Sequence, residues 1–157
     1  MRILNLSILI AAPQERVFDL SRSIDLHQDS THGTDEKAVA GVTAGLIGLG
    51  QEVTWEARHF GIKQRLTSKI TQFDRPNHFQ DVMQRGAFKH LIHDHTFKEA
   101  DGKTQLLDRF EFSAPLGPLG LLAEWLFLAR YLQRFLEQRN QTVKRIAESD
   151  EWKKYLS

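Results

Sequence analysis

The last third of the chain constrains the fold most, because one long apolar helix follows a body made almost entirely of strands. The seventh apparent strand ends at Ser113-Ala114-Pro115, and a helical pattern then runs from about Leu119 to Glu148. At about 1.5 Å per residue such a helix is roughly 40 Å long, enough to cross a whole sheet. The order of elements predicts an α+β fold in which a curved antiparallel sheet of about seven strands surrounds the C-terminal helix and encloses a cavity.

The C-terminal helix has one apolar stripe. At about 100° per residue, the stripe contains Leu121, Trp125, Leu128, Leu132, Leu136, Val143 and Ile146. Phe127 and Tyr131 fall outside it. They are candidates for the lip of the cavity, for a homodimer or partner contact, or for a patch that touches a membrane, although single exposed aromatic side chains without a role are common.

Arg139 lies near the middle of the same stripe. A buried arginine destabilises a fold unless it is paired. We expect its partner to be Asp81, Asp108 or an anionic ligand, unless the side chain reaches solvent at the open end of the barrel.

Composition limits the classes of function. The chain has 157 residues, no cysteine and a formal net charge of +1. This length predicts a single domain over residues 1–157, and the missing cysteines exclude disulfides, thiol catalysis and thiolate metal sites. The charge gives no reason to expect nucleic acid. We interpret the opening MRILNLSILIAAP as a strand rather than a signal peptide, we find no segment long enough to span a bilayer, and we expect a cytoplasmic protein.

Seven strands and two short helices are predicted before the long helix. Pro13 and Glu15 suit the first turn of a helix directly after the first strand. The third and fourth strands form a hairpin, and a Gly61-Ile62 loop would place Trp55 opposite Ser68. The predicted strands cover residues 2–11, 37–46, 52–60, 63–73, 77–84, 88–99 and 104–113.

The strongest hairpin signal, Asp101-Gly102, predicts the register of the last two strands. With these two residues as the loop, Phe97 faces Leu106 and His95 faces Asp108. Facing residues share one side of a sheet, and the Phe97–Leu106 pair indicates that this side is the inner one.

Inward-facing polar residues form the main candidate site. His93 has the same parity as His95, and Asp81 lies between Phe79 and Met83 on the apolar face of the fifth strand. We therefore expect a polar patch on the concave surface of the sheet. Its members are Asp81, His93, His95 and Asp108.

The patch has three interpretations. It anchors the polar end of a ligand or provides acid–base catalysis, with Asp108 orienting His95; it binds a metal ion; or its members are buried polar groups that satisfy one another. Two strands that carry inward-facing polar groups without the fixed spacing of metal ligands are only a weak indication of a metal site. We therefore expect no metal and no cofactor.

The chain resembles the START-like superfamily, also called the polyketide cyclase/dehydrase or SRPBCC superfamily. The order of strand, two short helices, six strands and long helix is similar, and so are several local segments. These are Ala12-Pro13 with Glu15, Val17 and Phe18; Leu49-Gly50 with Val53-Thr54-Trp55; His59-Phe60-Gly61; Phe79, Asp81 and Met83; His93, His95 and Phe97; and Pro115 with Gly117. The resemblance implies a helix-grip fold that holds hydrophobic ligands.

Residues and resemblance together favour binding of a small hydrophobic molecule, such as a lipid, an isoprenoid or a polyketide-like compound, by a carrier, chaperone or sensor. The alternatives are a cyclase/dehydratase-type enzyme, with His95 and Asp108 as acid–base candidates and Arg139 holding an oxyanion, and a protein-interaction module. The predicted ligand-binding residues are Trp55, Phe79, Asp81, Met83, His93, His95, Phe97, Asp108, Phe110 and Arg139.

Overall fold

A computed structural model describes residues 1–31, 33–115, 117–123 and 127–156. One antiparallel sheet has seven strands in the order β1-β7-β6-β5-β4-β3-β2. The strands are β1 Arg2–Ile10, β2 Lys37–Gly41, β3 Glu52–His59, β4 Ile62–Asp74, β5 His78–Arg85, β6 His90–Ala100 and β7 Lys103–Ser113. The helices are α1 Gln14–Ser21, α2 Ile24–Asp29, α3 Gly117–Ala123, α4 Ala129–Ala147 and α5 Lys153–Leu156, with a 3₁₀ turn at Asp150–Trp152. The predicted helix-grip architecture is confirmed.

Register shifts bend the sheet around the helix. One lies on β2 between Ala38 and Ala40, one lies on β5 at Gln84, opposite Thr67 and Ser68, and one lies on β4 between Ile70 and Gln72. An extra residue on one strand of a pair bends that strand and increases its twist. The bulges fall on the half of the sheet away from β1, where they increase its twist.

β2 ends at Gly41, five residues before the predicted boundary. Gly41 has φ +73°, and a Cβ atom there would lie 2.2 Å from the carbonyl oxygen of Glu52. The chain therefore leaves the ladder at this glycine. The following loop buries Ile47 in the core and is held to Arg22 by two backbone carbonyl contacts.

The β3–β4 hairpin corrects the predicted register. His59 faces Ile62 across a Phe60-Gly61 loop, so Trp55 faces Leu66 and not Ser68. Phe60 and Gly61 have φ of +53° and +74°, as a tight turn with two left-handed residues requires. A phenylalanine rarely adopts this conformation, so the residue type of Phe60 gives no sign of the turn. The shift changes the partner by two residues, so Trp55 keeps its inner face.

The β6–β7 hairpin confirms the predicted register. Ala100 faces Lys103, Phe97 faces Leu106 and His95 faces Asp108. Phe97, Leu106 and His95 are almost fully buried, so the inner face is the predicted one.

The stripe of α4 packs against the sheet. Leu132 and Leu136 are buried, as predicted, and so are Val143 and Ile146. Trp125 lies outside the described residues. Leu121 is 55% exposed, so the stripe does not begin there. An amphipathic pattern shows which residues share a face but not how far a sheet extends beneath it.

Two apolar clusters form the core. The first centres on Phe18 of α1, whose ring contacts Phe73, Phe79 and Phe97 edge to face. The second joins α4 near Leu132 to the β1–β7 end of the sheet. No helix within the described ranges is both long and apolar enough to cross a membrane.

Candidate functional site

A cavity of about 180 Å³ lies between the inner face of the sheet and α4. Its apolar walls come from both core clusters, and the α1–α2 junction lines one further side. The apolar lining includes Val53, Trp55, Ile70, Phe79, Leu91, Phe110, Leu132 and Leu136. A polar cluster interrupts these walls on the middle strands, where the predicted patch lies.

Asp108 holds the buried side of the polar cluster together. Its Oδ1 is 2.7 Å from Nε2 of His93, and its Oδ2 accepts a hydrogen bond of 2.6 Å from the side-chain amide of Asn140 on α4. The Asp108 side chain is fully buried and does not line the cavity. It therefore positions the imidazole of His93 and ties α4 to the sheet.

His95 hydrogen-bonds Asp81 rather than the residue that faces it. Its Nε2 lies 2.8 Å from Oδ2 of Asp81, two residue pairs along the β5–β6 ladder. Its Nδ1 lies 3.2 Å from Oδ1 of Asp108 but is too poorly aligned for a hydrogen bond, and no other partner takes it. His95 and Asp108 therefore face each other in close contact, but each hydrogen-bonds a diagonal neighbour instead. Asp108 bonds His93, and His95 bonds Asp81.

The carboxylates separate the protonation behaviour of the two histidines. Burial lowers the pKa of the His95 imidazole, but Asp108 and Asp81 together outweigh burial and raise it above its usual value. Burial and the adjacent His95 lower the pKa of His93, against the opposing effect of Asp108. Their ring centroids are only 3.8 Å apart, so protonation of one ring opposes protonation of the other.

The same contacts keep the acids ionised. Burial raises the pKa of each carboxyl group, but the hydrogen bonds from the histidines outweigh it. The pKa of Asp81 is lowered, and that of Asp108 lies well below its usual range.

Arg139 extends from α4 into the cavity and does not reach solvent. Arg139 is 4% exposed. The predicted alternative, in which its side chain reaches solvent at the open end of the barrel, is therefore wrong. Nη2 donates a hydrogen bond of 2.9 Å to the carbonyl oxygen of Ser21. Nε and Nη1 have no partner, and no ion pair found among the described residues joins Arg139 to Asp81 or Asp108.

Aromatic side chains meet near the β3–β4 hairpin. Nδ1 of His59 lies 2.5 Å from the hydroxyl of Tyr131, and the ring of Phe60 packs on Tyr131 at 4.7 Å. Burial lowers the pKa of His59 and raises that of Tyr131. Tyr131 is thus engaged within the chain, whereas Phe127 is 67% exposed. A dimer or partner contact through these residues stays a prediction.

Seven of the ten predicted ligand-binding residues line the cavity, namely Trp55, Phe79, Asp81, His93, His95, Phe110 and Arg139. Met83 is partly buried and packs against the second cluster, Phe97 is buried beside Phe18, and Asp108 lies behind the histidines. Whether any of the ten contacts a ligand stays a prediction.

Sequence reasoning missed three contributors. Asn140 follows Arg139 on the buried face of α4, and its polar side chain there was an available signal. Ser21 contributes a backbone carbonyl, which side-chain patterns do not show. His27 lines the cavity, where the centroid of its ring lies 4.2 Å from that of Trp55 at a tilt of 33°, and its Nε2 contacts Glu36 at 3.0 Å.

The polar cluster also contains a set of possible metal ligands. Asp81, His93 and His95 each offer one donor atom, and these atoms lie within 4.8 Å of one another. Imidazole nitrogen and carboxylate oxygen are ligands that zinc accepts, but a full site needs a fourth ligand or water. The expectation of no metal therefore stays a prediction.

Comparisons with known proteins agree with this geometry. The sequence pattern of the family described as polyketide cyclase/dehydrase and lipid transport matches residues 1–148. No protein of curated function matches the chain.

Several solved structures share the fold at low sequence identity. The protein TTHA0849 of Thermus thermophilus is 17% identical with a TM-score of 0.75, and the match covers 92% of this chain and 95% of that one. A START superfamily protein of Mycobacterium smegmatis is 10% identical with a TM-score of 0.69, covering 93% and 97%. The major latex-like protein 151 of Panax ginseng is 12% identical with a TM-score of 0.69, covering 94% and 98%.

Proposed function

Since the chain belongs to the polyketide cyclase/dehydrase and lipid transport family, we propose that it binds a small hydrophobic molecule between the sheet and α4. The observation that carries the proposal is the cavity, whose walls are mostly aliphatic and aromatic and whose polar groups are gathered on β5, β6 and α4. Ligand sites in proteins typically combine apolar walls with a few convergent polar groups. The role is that of a carrier, chaperone or sensor.

The cavity volume limits the ligand. A cavity of about 150 Å³ holds a benzene molecule, and this one has about 180 Å³. A body of one or two rings, or a short chain, therefore fits without movement of the walls. Arg65 lines the cavity and its side chain is 70% exposed, so a longer isoprenoid or lipid would extend past it into solvent.

Native mass spectrometry of the purified protein, together with titration of an environment-sensitive apolar dye, tests the proposal. We expect a copurified small molecule or saturable dye binding at one site per chain, with displacement by apolar ligands of the stated size. A protein that arrives empty and binds no fatty acid, isoprenoid, polyketide or flavonoid-like probe would contradict it.

A cyclase/dehydratase-type enzyme is the second candidate, and one observation favours it. His95 lines the cavity with a raised pKa, and its Nε2 contacts Asp81, which also lines the cavity. Such an imidazole can act as a general acid or base toward a bound substrate. Asp81 and Asp108 would stabilise its charged form, and Arg139 would hold an oxyanion.

Recovery of the bound molecule separates the two candidates. A carrier returns its ligand unchanged, whereas an enzyme converts it in a reaction that is lost in His95→Gln. His90→Gln is the matched control, because His90 lies on the same strand but pairs with Glu111 away from the cavity. Repeating the assay with a chelator tests whether the donor set of Asp81, His93 and His95 uses a metal ion.

A further inference from the structure

The charged groups around the cavity are paired, with one exception. Of the described residues that line it, three are arginines and two are carboxylates. The pairs are Arg22 with Asp19, Arg65 with Glu56, His27 with Glu36, His95 with Asp81 and His93 with Asp108. Among the lining residues that the structure describes, Arg139 is the only arginine that forms no ion pair with a carboxylate.

Arg139 also has unused hydrogen-bond donors. Its guanidinium is charged at all physiological pH values and presents five N–H groups. Only Nη2 has a partner, the carbonyl of Ser21, and both Nε and Nη1 are buried without one. A buried charge with unsatisfied donors is strongly unfavourable, so a missing acceptor is expected at this point of the cavity.

We infer that Arg139 binds the carboxylate of an otherwise apolar acid that occupies the cavity. A carboxylate supplies both the negative charge and the planar pair of acceptors that match a guanidinium. A neutral carbonyl would satisfy a donor but leave the charge of Arg139 uncompensated. This inference rests on the proposed hydrophobic-ligand function and adds the chemical class of the ligand.

The neighbouring acids are compatible with an incoming carboxylate. Asp81 lies near enough to Arg139 for the guanidinium to help lower the pKa of Asp81, but the Asp81 carboxylate hydrogen-bonds His95 instead. Asp108 is enclosed by His93 and Asn140 and does not reach the cavity. The ligand body then contacts Phe79, Trp55 and Leu136, so the acid is one with a compact apolar body.

Matched acids and amides test the inference. Phenylacetate, 2-naphthoate and dodecanoate are compared with their primary amides, which have the same size but no charge, by isothermal titration calorimetry at pH 7.5. A charge-assisted hydrogen bond in a desolvated site predicts about 10- to 100-fold tighter binding of at least one acid than of its amide.

Variants assign the preference to Arg139. In Arg139→Gln we expect the acid and the amide to bind within about threefold of each other, while amide affinity changes little. Arg134→Gln is the control, because Arg134 is an exposed arginine of the same helix that does not line this cavity, and it should keep the preference. Arg139→Lys should keep part of it, because the charge remains without the planar fork.

The outcomes distinguish the inference from the proposed function. Equal affinity for every acid and its amide in the parent protein overturns the inference and leaves hydrophobic binding intact, whatever the folding of the variants. A preference that survives in a folded Arg139→Gln also overturns it. Failure of all six compounds and of the apolar dye to bind the parent overturns the proposed function itself.

Discussion

Asp108 contributes to stability with a definite pH dependence. Its folded pKa is well below the usual 3.8, so its interactions stabilise the fold above the usual range and are lost as the pH falls through the lowered value. His95 has the opposite sign. Its pKa is raised above 6.5, so its contribution is full below pH 6.5 and is lost as the pH rises through the raised value.

Substitution of Asp108 by asparagine tests how this carboxylate controls both imidazoles. We expect the pKa of His95 and that of His93 to fall, because each loses a nearby negative charge while burial remains. NMR titration of the two ring signals gives the measurement. In Asp81→Asn, the pKa of His95 should again fall and that of His93 should change less, because Asp81 hydrogen-bonds only His95. A His95 titration unchanged in both variants would show that the rings and carboxylates are not coupled.

For single residues, the sequence predicted which backbone positions face each other better than it predicted which side chains hydrogen-bond. The Asp101-Gly102 turn set the backbone pairs of β6 and β7, because a two-residue loop leaves one register. It could not show that Asp108 bonds His93 and that His95 bonds Asp81, since rotamers select among neighbours at similar distances.

Helix α4 is stabilised mainly by its apolar stripe. Leu136 is 4% exposed and belongs to the cluster that joins α4 to β1 and β7. Leu136→Ala should lower the free energy of unfolding by about 2–5 kcal/mol, through lost burial and the remaining void. Gln138→Ala, an exposed change two residues away, should stay within about 0.5 kcal/mol. Chemical denaturation measures both, and similar values for the two variants would contradict the packing of α4.

Two glycines allow the cost of backbone strain to be measured separately from the cost of a steric clash. Gly41 and Gly50 have φ of +73° and +77°, but only Gly41 has backbone atoms where a Cβ would lie. Gly50→Ala should destabilise by about 1–2 kcal/mol, the cost of a left-handed residue. Gly41→Ala should destabilise more, because β2 and β3 must also move apart. Equal losses in thermal or chemical unfolding would show that the close approach at Glu52 relaxes without penalty.

Sequence reasoning located most elements but not the ends of the irregular ones. Five of the seven strands lie close to their predicted bounds, since alternation and turn residues mark them. β2 was predicted too long because the sequence does not show the close approach between Gly41 and Glu52 at which the strand ends. The β3–β4 loop was misplaced because Phe60 takes a conformation that its residue type disfavours.

The whole molecule combines a packed core with a partly open cavity. Phe18 and its ring neighbours fill one end, and the cluster near Leu132 fills the other, so packed side chains bound the space between them. Sequence parity predicted which residues face this space, but its volume depends on the shape of the sheet, including the bulges of β4 and β5, and could not be read from a pattern. An empty apolar cavity lowers stability, and a retained one is therefore consistent with ligand binding.

A side chain that fills the cavity should weaken ligand binding while the free energy of unfolding stays level or rises. Ala57 is buried on β3 and lines the cavity, so Ala57→Leu places a larger apolar side chain in the void. We expect dye or acid affinity to fall by at least about tenfold, and the free energy of unfolding to stay level or rise by about 0.5–2 kcal/mol, as cavity filling commonly produces. Ala100→Leu, at an exposed position beside the β6–β7 turn, adds the same atoms outside and should leave affinity unchanged. Undiminished binding in Ala57→Leu, with the fold intact, would show that the ligand does not enter between the sheet and α4.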